Sequence, residues 1–149
     1  MNIEYTVIVD GTETSWYHNG KLHREDGPAL TDTDTGFEAW YVKGNLHKED
    51  GPAMRDSTGK LSWYVNGKLH REDGPAVEHP RVKEWWVNGR KHRLDGPAVV
   101  EYAVGGDYEE WWIDGKRLTE EEFNYQVNPK ELTVADVEKL LGYPVKIVK

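Results

Sequence analysis

The sequence predicts an all-β repeat array, an antiparallel meander of β-hairpins, with a small C-terminal α-helical cap. Three observations carry this expectation. A 14-residue pattern led by Trp recurs along the chain. Each copy contains a dipeptide suited to the tightest hairpin turn. After Leu118 the turn residues and paired aromatics give way to helix-start signals. The expected division is residues 1–118 for the array and 119–149 for the cap and a terminal strand.

Taken in order, Ile3 to Val9 reads as a strand that turns at Asp10-Gly11 and supplies a half-unit before the first Trp. The first full unit runs from Trp16 to Ala29, Trp-Tyr-His-Asn-Gly-Lys-Leu-His-Arg-Glu-Asp-Gly-Pro-Ala. It returns from Trp40 to Ala53, from Trp63 to Ala76, with drift from Trp85 to Ala98, and truncated from Trp111 to Arg117. The leading Trp residues are 24, 23, 22 and 26 residues apart, so the drift belongs to loops. Asn19-Gly20, Asn66-Gly67, Asn88-Gly89 and Asp114-Gly115 suit a type I′ turn, which needs positive φ at both central residues; Lys43-Gly44 suits it least. A two-residue loop pairs Trp16 with His23 and Tyr17 with Leu22 on opposite faces, and likewise Trp40 with His47, Tyr41 with Leu46, Trp63 with His70 and Tyr64 with Leu69. Trp86 then opposes Lys91 and Trp112 opposes Arg117, so this face becomes more cationic along the array.

Asp-Gly-Pro-Ala marks the second corner, because Pro cannot donate to a ladder and the residue before it is pushed extended. Further loops are expected at Asp34-Thr35-Gly36, Ser57-Thr58-Gly59 and Gly105-Gly106-Asp107, with Ala98 to Tyr102 a strand between corners. In the cap, Thr119 with Glu122 three residues on forms a capping-box pattern, and Asn128-Pro129 ends that helix. Thr133 is placed to cap a second helix over Val134 to Leu141, with Gly142 at its stop and a strand from Tyr143 to Val148. The helices are expected to cover the open end of the array.

Composition fits this architecture and excludes others. Among 149 residues there are seven Trp, eight Tyr, 15 Gly and seven Pro, but only two Phe and two Met, which disfavours a helix bundle. The absence of cysteine excludes disulfides, thiolate zinc sites and cysteine nucleophiles. A net charge of -8 argues against binding nucleic-acid backbone or anionic lipid. No apolar run approaches a membrane span and the first ten residues lack a signal-peptide layout, so a cytoplasmic location is expected.

The order Trp, Asn-Gly-Lys, His and then Gly, at a period near 23, resembles the MORN repeat, with Arg-Glu-Asp standing between His and Gly. Trp-Tyr-x-Asn-Gly-Lys-Leu-His-Arg-Glu-Asp-Gly-Pro-Ala resembles more closely a repeat of tailed-bacteriophage proteins of unassigned function. The likeness covers Glu13 to Leu118, and both the array's ending at Trp111 to Phe123 and the segment Thr133 to Val148 are similar to phage-protein endings. The resemblance implies a hairpin array for protein contacts without a shared catalytic centre. It further implies an accessory protein in the host cytoplasm acting on a host bacterial protein, including against host defence.

Candidate chemistry lies in two rows. Trp16, Trp40, Trp63, Trp85 and Trp111, with His23, His47, His70, His92 and Asp26, Asp50, Asp73, Asp95, are read as the structural repeat: His packing on Trp, and Asp holding the Gly-Pro turn. Equivalent His residues about 10 Å apart, two strands on, cannot share one metal. No metal, catalytic residue or cofactor is assigned, and a metal-assisted hydrolase built on one His-Arg-Glu-Asp unit has the least support. Tyr17, Tyr41, Tyr64, Trp86 and Trp112, with Lys91 and Arg117, are the candidate binding row, for a protein partner or self-association. An alternative is sequestration of an anionic nucleotide by Trp86, Trp112, Arg90, Lys91, Arg93 and Arg117. Glu109-Glu110 and Glu120-Glu121-Glu122 are read as solvated surface.

Overall fold

The computed structural model describes residues 3–129, 134, 135, 138 and 142–145. Its body is a 12-stranded antiparallel sheet laid down in chain order. The strands Thr6–Asp10 and Glu13–His18 begin it, and Tyr108–Ile113 with Lys116–Leu118 end it. Between them, each repeat contributes two short strands, such as Leu30–Asp32 with Phe37–Ala39 and Val77–His79 with Val82–Glu84. This is the meander the repeat predicts.

The hairpins that follow each leading Trp form a second ladder alongside the body. Tyr41–Val42 pairs with Asn45–Leu46, Tyr64–Val65 with Lys68–Leu69, and Trp86–Val87 with Arg90–Lys91. Successive hairpins are joined through backbone: Gly44 N–H donates to Leu22 C=O at 2.8 Å and Arg24 N–H to Tyr41 C=O at 3.1 Å. The same two bonds link each later pair, ending with Gly115 to Lys91 at 2.9 Å and Arg93 to Trp112 at 3.1 Å.

Each of the first four leading Trp residues is the joint between ladders. Trp63 N–H donates to Ala76 C=O in the body (2.8 Å), while its C=O accepts from His70 N–H in the hairpin (3.1 Å), and Trp16, Trp40 and Trp85 repeat the arrangement. The seam admits only small side chains. Ala29, Ala39, Ala53, Ala76 and Ala98 are all fully buried, and Ser15 and Ser62 are nearly so. Large aliphatics are scarce in the interior because a single pleated layer leaves little room behind it.

All five hairpins have both central residues at positive φ, as type I′ requires: 50° and 72° at Asn19-Gly20, and 51° and 86° at Lys43-Gly44. The latter turn keeps the geometry although Lys lacks the local side-chain bonding that makes Asn tolerant of it. Gly27, Gly74 and Gly96 serve a different need. A Cβ there would meet the guanidinium of Arg24, Arg71 or Arg93 at 2.9, 3.0 or 3.1 Å, so these glycines permit close approach of a side chain.

Two expectations shift at the ends. The first strand begins at Thr6 rather than Ile3, because Tyr5 turns onto the first unit, with its ring 5.6 Å from Trp16 and 6.1 Å from His23. The third repeat closes its body hairpin at Pro80-Arg81, between paired His79 and Val82, a corner without a glycine signal. At the C-terminal end Glu120–Val127 is an α-helix with the expected capping box: Glu122 N–H donates to Thr119 Oγ1 (3.2 Å), and Thr119 N–H to Glu122 Oε2 (2.8 Å). Phe123 is 2% exposed and packs on Trp111 at 4.7 Å, so the helix covers the last hairpin. The second helix expected over Val134 to Leu141, with Thr133 as its cap, and the strand from Tyr143 to Val148 lie largely outside the described residues.

Candidate functional site

Two side-chain rows run along the array on opposite faces. Residues of the first are half-buried Trp16, Trp40, Trp63, Trp85 and Trp111. Over each of the first four indoles lies the cation eight residues on. Arg24, Arg71 and Arg93 sit 4.1, 4.1 and 3.9 Å from the ring centroids of Trp16, Trp63 and Trp85, and Lys48 lies 4.0 Å from Trp40. The expected partner of Trp was His. The cation takes the indole face because the hairpin return carries it over the ring, where the quadrupole favours positive charge.

The histidines instead hold neighbouring units together. Lys43 N–H donates to His23 Nδ1 at 3.3 Å, and Asn66, Asn88 and Asp114 donate to His47, His70 and His92 at 3.1 Å each. Each ring thus satisfies a turn amide that the type I′ geometry leaves unpaired. On its other side Nε2 of His23, His47 and His70 faces Glu25, Glu49 and Glu72 at 3.8–3.9 Å.

The aspartates also act differently from the expectation. Asp26, Asp73 and Asp95 accept from the Nε of Arg24, Arg71 and Arg93 at 2.8–2.9 Å. It is the guanidinium that bridges the corner, donating through Nη1 to the carbonyl of Pro28, Pro75 or Pro97 at 3.4, 3.2 and 3.1 Å. A planar fork reaches both acceptors and a carboxylate alone cannot. Hydrogen bonding from Arg holds all three carboxyls below their ordinary range. Asp50 follows Lys48, which stacks on Trp40 without that fork.

The second face carries the candidate binding row. Tyr17, Tyr41, Tyr64, Trp86 and Trp112 are each half-buried, neither core nor fully exposed. They oppose Leu22, Leu46, Leu69, Lys91 and Arg117 in the expected register. Burial, and Tyr64 beside it, push the Tyr41 phenol above its ordinary value. Tyr64 and Leu69 border an open cleft of about 580 Å³ whose floor includes Met54, Ser62, Val77 and Val82.

Toward the C-terminal end the row becomes a polar network around Glu110, whose side chain is 13% exposed. Its Oε2 accepts from Trp112 Nε1 (2.9 Å) and Lys91 Nζ (3.4 Å). Its Oε1 accepts from Tyr108 OH at 2.8 Å and lies 3.2 Å from Arg117 Nη2. Burial alone would raise this carboxyl, but the bonds from Trp112 and Tyr108, with the Lys91 charge, hold it below the usual glutamate range. Lys91 Nζ lies 5.6 and 5.3 Å from the Trp86 and Trp112 centroids, so two indoles and two cations of the nucleotide reading do converge. Both cations are engaged by Glu110. Arg93 is committed to Trp85 and Asp95, while Arg90 is exposed at the hairpin end, its stem 3.6 Å from where a Cβ on Gly115 would stand.

Sequence reasoning missed Glu84 and read Glu110 as solvated surface, whereas its side chain is 13% exposed because four donors from Lys91, Tyr108, Trp112 and Arg117 enclose it. Glu84 Oε2 accepts from Trp86 Nε1 at 2.9 Å, as Glu110 does from Trp112. The signal lay within the array. The residue before the leading Trp is Ser15, Ala39 or Ser62 where the next aromatic is Tyr, and changes to Glu where that aromatic becomes Trp and its cross-strand partner becomes Lys or Arg. An indole N–H needs an acceptor when half-buried, and the added cation balances the acceptor's charge.

No family model, curated protein or solved structure matches the chain. Among the described residues no helix is long and apolar enough to cross a membrane.

Proposed function

We propose that this chain is a non-catalytic binding protein that engages a protein partner through the face bearing Tyr17, Tyr41, Tyr64, Trp86 and Trp112. The carrying observation is the iteration of a half-exposed aromatic at one position of every hairpin, with an open cleft beside Tyr64. Aromatics of this exposure are enriched at protein interfaces because they bury large area with few rotors. The His-Arg-Glu-Asp groups, by contrast, are engaged in holding turns and neighbouring units. The phage-like repeat supports the finer reading of a phage accessory protein in the host cytoplasm, directed at a bacterial protein and countering host defence.

The test is affinity capture from phage-host lysate with the wild-type chain, a Tyr41→Ser/Tyr64→Ser variant and Glu49→Gln on the opposite face. One host protein should be retained by wild type and Glu49→Gln and lost with the tyrosine pair, at unchanged circular dichroism. Capture indifferent to the tyrosines rejects this face.

The convergence of Trp86, Trp112, Lys91 and Arg117 favours a second reading, an anionic nucleotide stacked on indole. Glu110 opposes it by engaging both cations, so protein binding ranks first. A nucleotide that binds only the native state raises the unfolding temperature with concentration, and Glu110→Gln should enlarge that rise. No rise in either chain removes the reading.

A further inference from the structure

The N-terminal edge of the body sheet carries an inference that does not depend on the aromatic face. Thr6–Asp10 pairs on one side only, with Glu13–His18, among the described residues. All five of its residues are exposed, with Val7, Ile8 and Val9 at 42, 52 and 67%. The other end of the array is covered by the helix Glu120–Val127. At this end Tyr5 turns away onto Trp16, and no other element covers the edge among the described residues.

The register decides which backbone groups are free. Asp10 and Glu13 flank the two-residue turn Gly11-Thr12 and so form a hydrogen-bonded pair. Alternation makes Ile8↔Ser15 and Thr6↔Tyr17 hydrogen-bonded as well, and leaves Val7 and Val9 with their N–H and C=O groups directed outward. An unpaired edge of this kind is a template for another strand.

We propose that Thr6–Asp10 pairs antiparallel with the same strand of a second copy, about a two-fold axis at Ile8. Val7 then faces Val9 of the other copy, and both are outward residues, so two closely bonded pairs form at once. Ile8 faces Ile8 across the axis as the close, non-hydrogen-bonded pair. Asp10 faces Thr6, so no like charges meet. Slipping the register by one residue opposes outward groups with inward ones and makes no bonds. Slipping by two, in either direction, leaves Val7 on Val7 or Val9 on Val9; the latter sets the Asp10 carboxylate against Ile8. The order Val-Ile-Val is palindromic, and the outward positions have the parity that this symmetry requires. A single five-residue strand pair is smaller than a standard interface, so the dimer is weak, and screening strengthens it because each copy carries a net charge of -8.

The chain has no cysteine, which makes a register test direct. In the full chain, Ile8→Cys places two thiols at a close pair within disulfide reach, whereas Val9→Cys places them on diagonal neighbours about 7–8 Å apart, beyond it. Under mild oxidation Ile8→Cys should cross-link about tenfold faster than Val9→Cys. Sedimentation of the wild type should show mass rising from 17.2 kDa towards twice that value with concentration. Val9→Pro deletes an outward donor and no inward one, and Ile8→Lys sets two ammonium groups together without altering the backbone. Both should abolish association with the fold retained by circular dichroism. Equal cross-linking of the two cysteine variants, a monomeric mass up to about 1 mM, or association surviving Val9→Pro and Ile8→Lys overturns the proposal.

Discussion

Arg24, Arg71 and Arg93 each cover an indole, neutralise an aspartate and bridge the Gly-Pro corner, while Lys48 covers Trp40 without making the other two bonds. Arg71→Ala should lower stability by about 1–2 kcal/mol, and Lys48→Arg should raise it by about 0.5 kcal/mol, both read from urea midpoints. Acid acts on the same groups and on Asp56, held at about 2 by hydrogen bonds from Thr58 and Lys60 against an ordinary 3.8. A carboxyl depressed on folding stabilises the native state fully above its unfolded value and progressively less as pH falls through the folded one. Urea midpoints should therefore fall between about pH 4 and pH 2, and Asp56→Asn should flatten part of that fall. These roles were only half legible. The residue types pointed to structure, but the partners did not follow from type: His47 Nδ1 is met by the Asn66 amide, 19 residues on, and Arg71, not Asp73, bridges to the Pro75 carbonyl. Local spacing does not encode the contact between neighbouring units, and residue type does not say which side chain takes the corner.

Hairpins and their register were legible because their cause is local: a positive-φ dipeptide fixes the turn, and the turn fixes every pair that follows. Lys43 is the element-level exception. It is held at φ 51° by its neighbours, and Lys43→Asn should raise the unfolding free energy by about 0.5–1 kcal/mol, read from the shift of the urea midpoint. The helix Glu120–Val127 was legible at its start from Thr119 and Glu122 and at its end from Asn128-Pro129. Its covering of the array's end was expected too, but the contact that seats it was not, because packing of Phe123 on Trp111 depends on the direction in which the last strand leaves the sheet. Phe123→Ala should cost about 3 kcal/mol and expose the last hairpin first, visible as faster hydrogen exchange at Trp111 to Leu118 than at Trp63 to Leu69.

The whole molecule is a row of similar units, each bonded to the next by the same backbone contacts and sealed by the same small residues. Stability in such a row is a sum over units and their interfaces, so unfolding should broaden rather than proceed in one step. Removing residues 40–62 joins Ala39 directly to Trp63 and brings Phe37–Ala39 opposite Val77–His79, in place of a strand of the same length class. That shortened chain should fold, with a proportionally smaller urea dependence, as circular dichroism and denaturant titration would show. Two strands at about 4.8 Å each make a unit a step of about 10 Å. The alanine seam therefore has a consequence for inheritance. With no shared core to be rewritten, the protein can gain or lose reach in whole steps by unequal exchange between its own repeated coding segments. A partner that measures the spacing of the aromatics would then be followed by counting units, while the chemistry of each unit stays as it is.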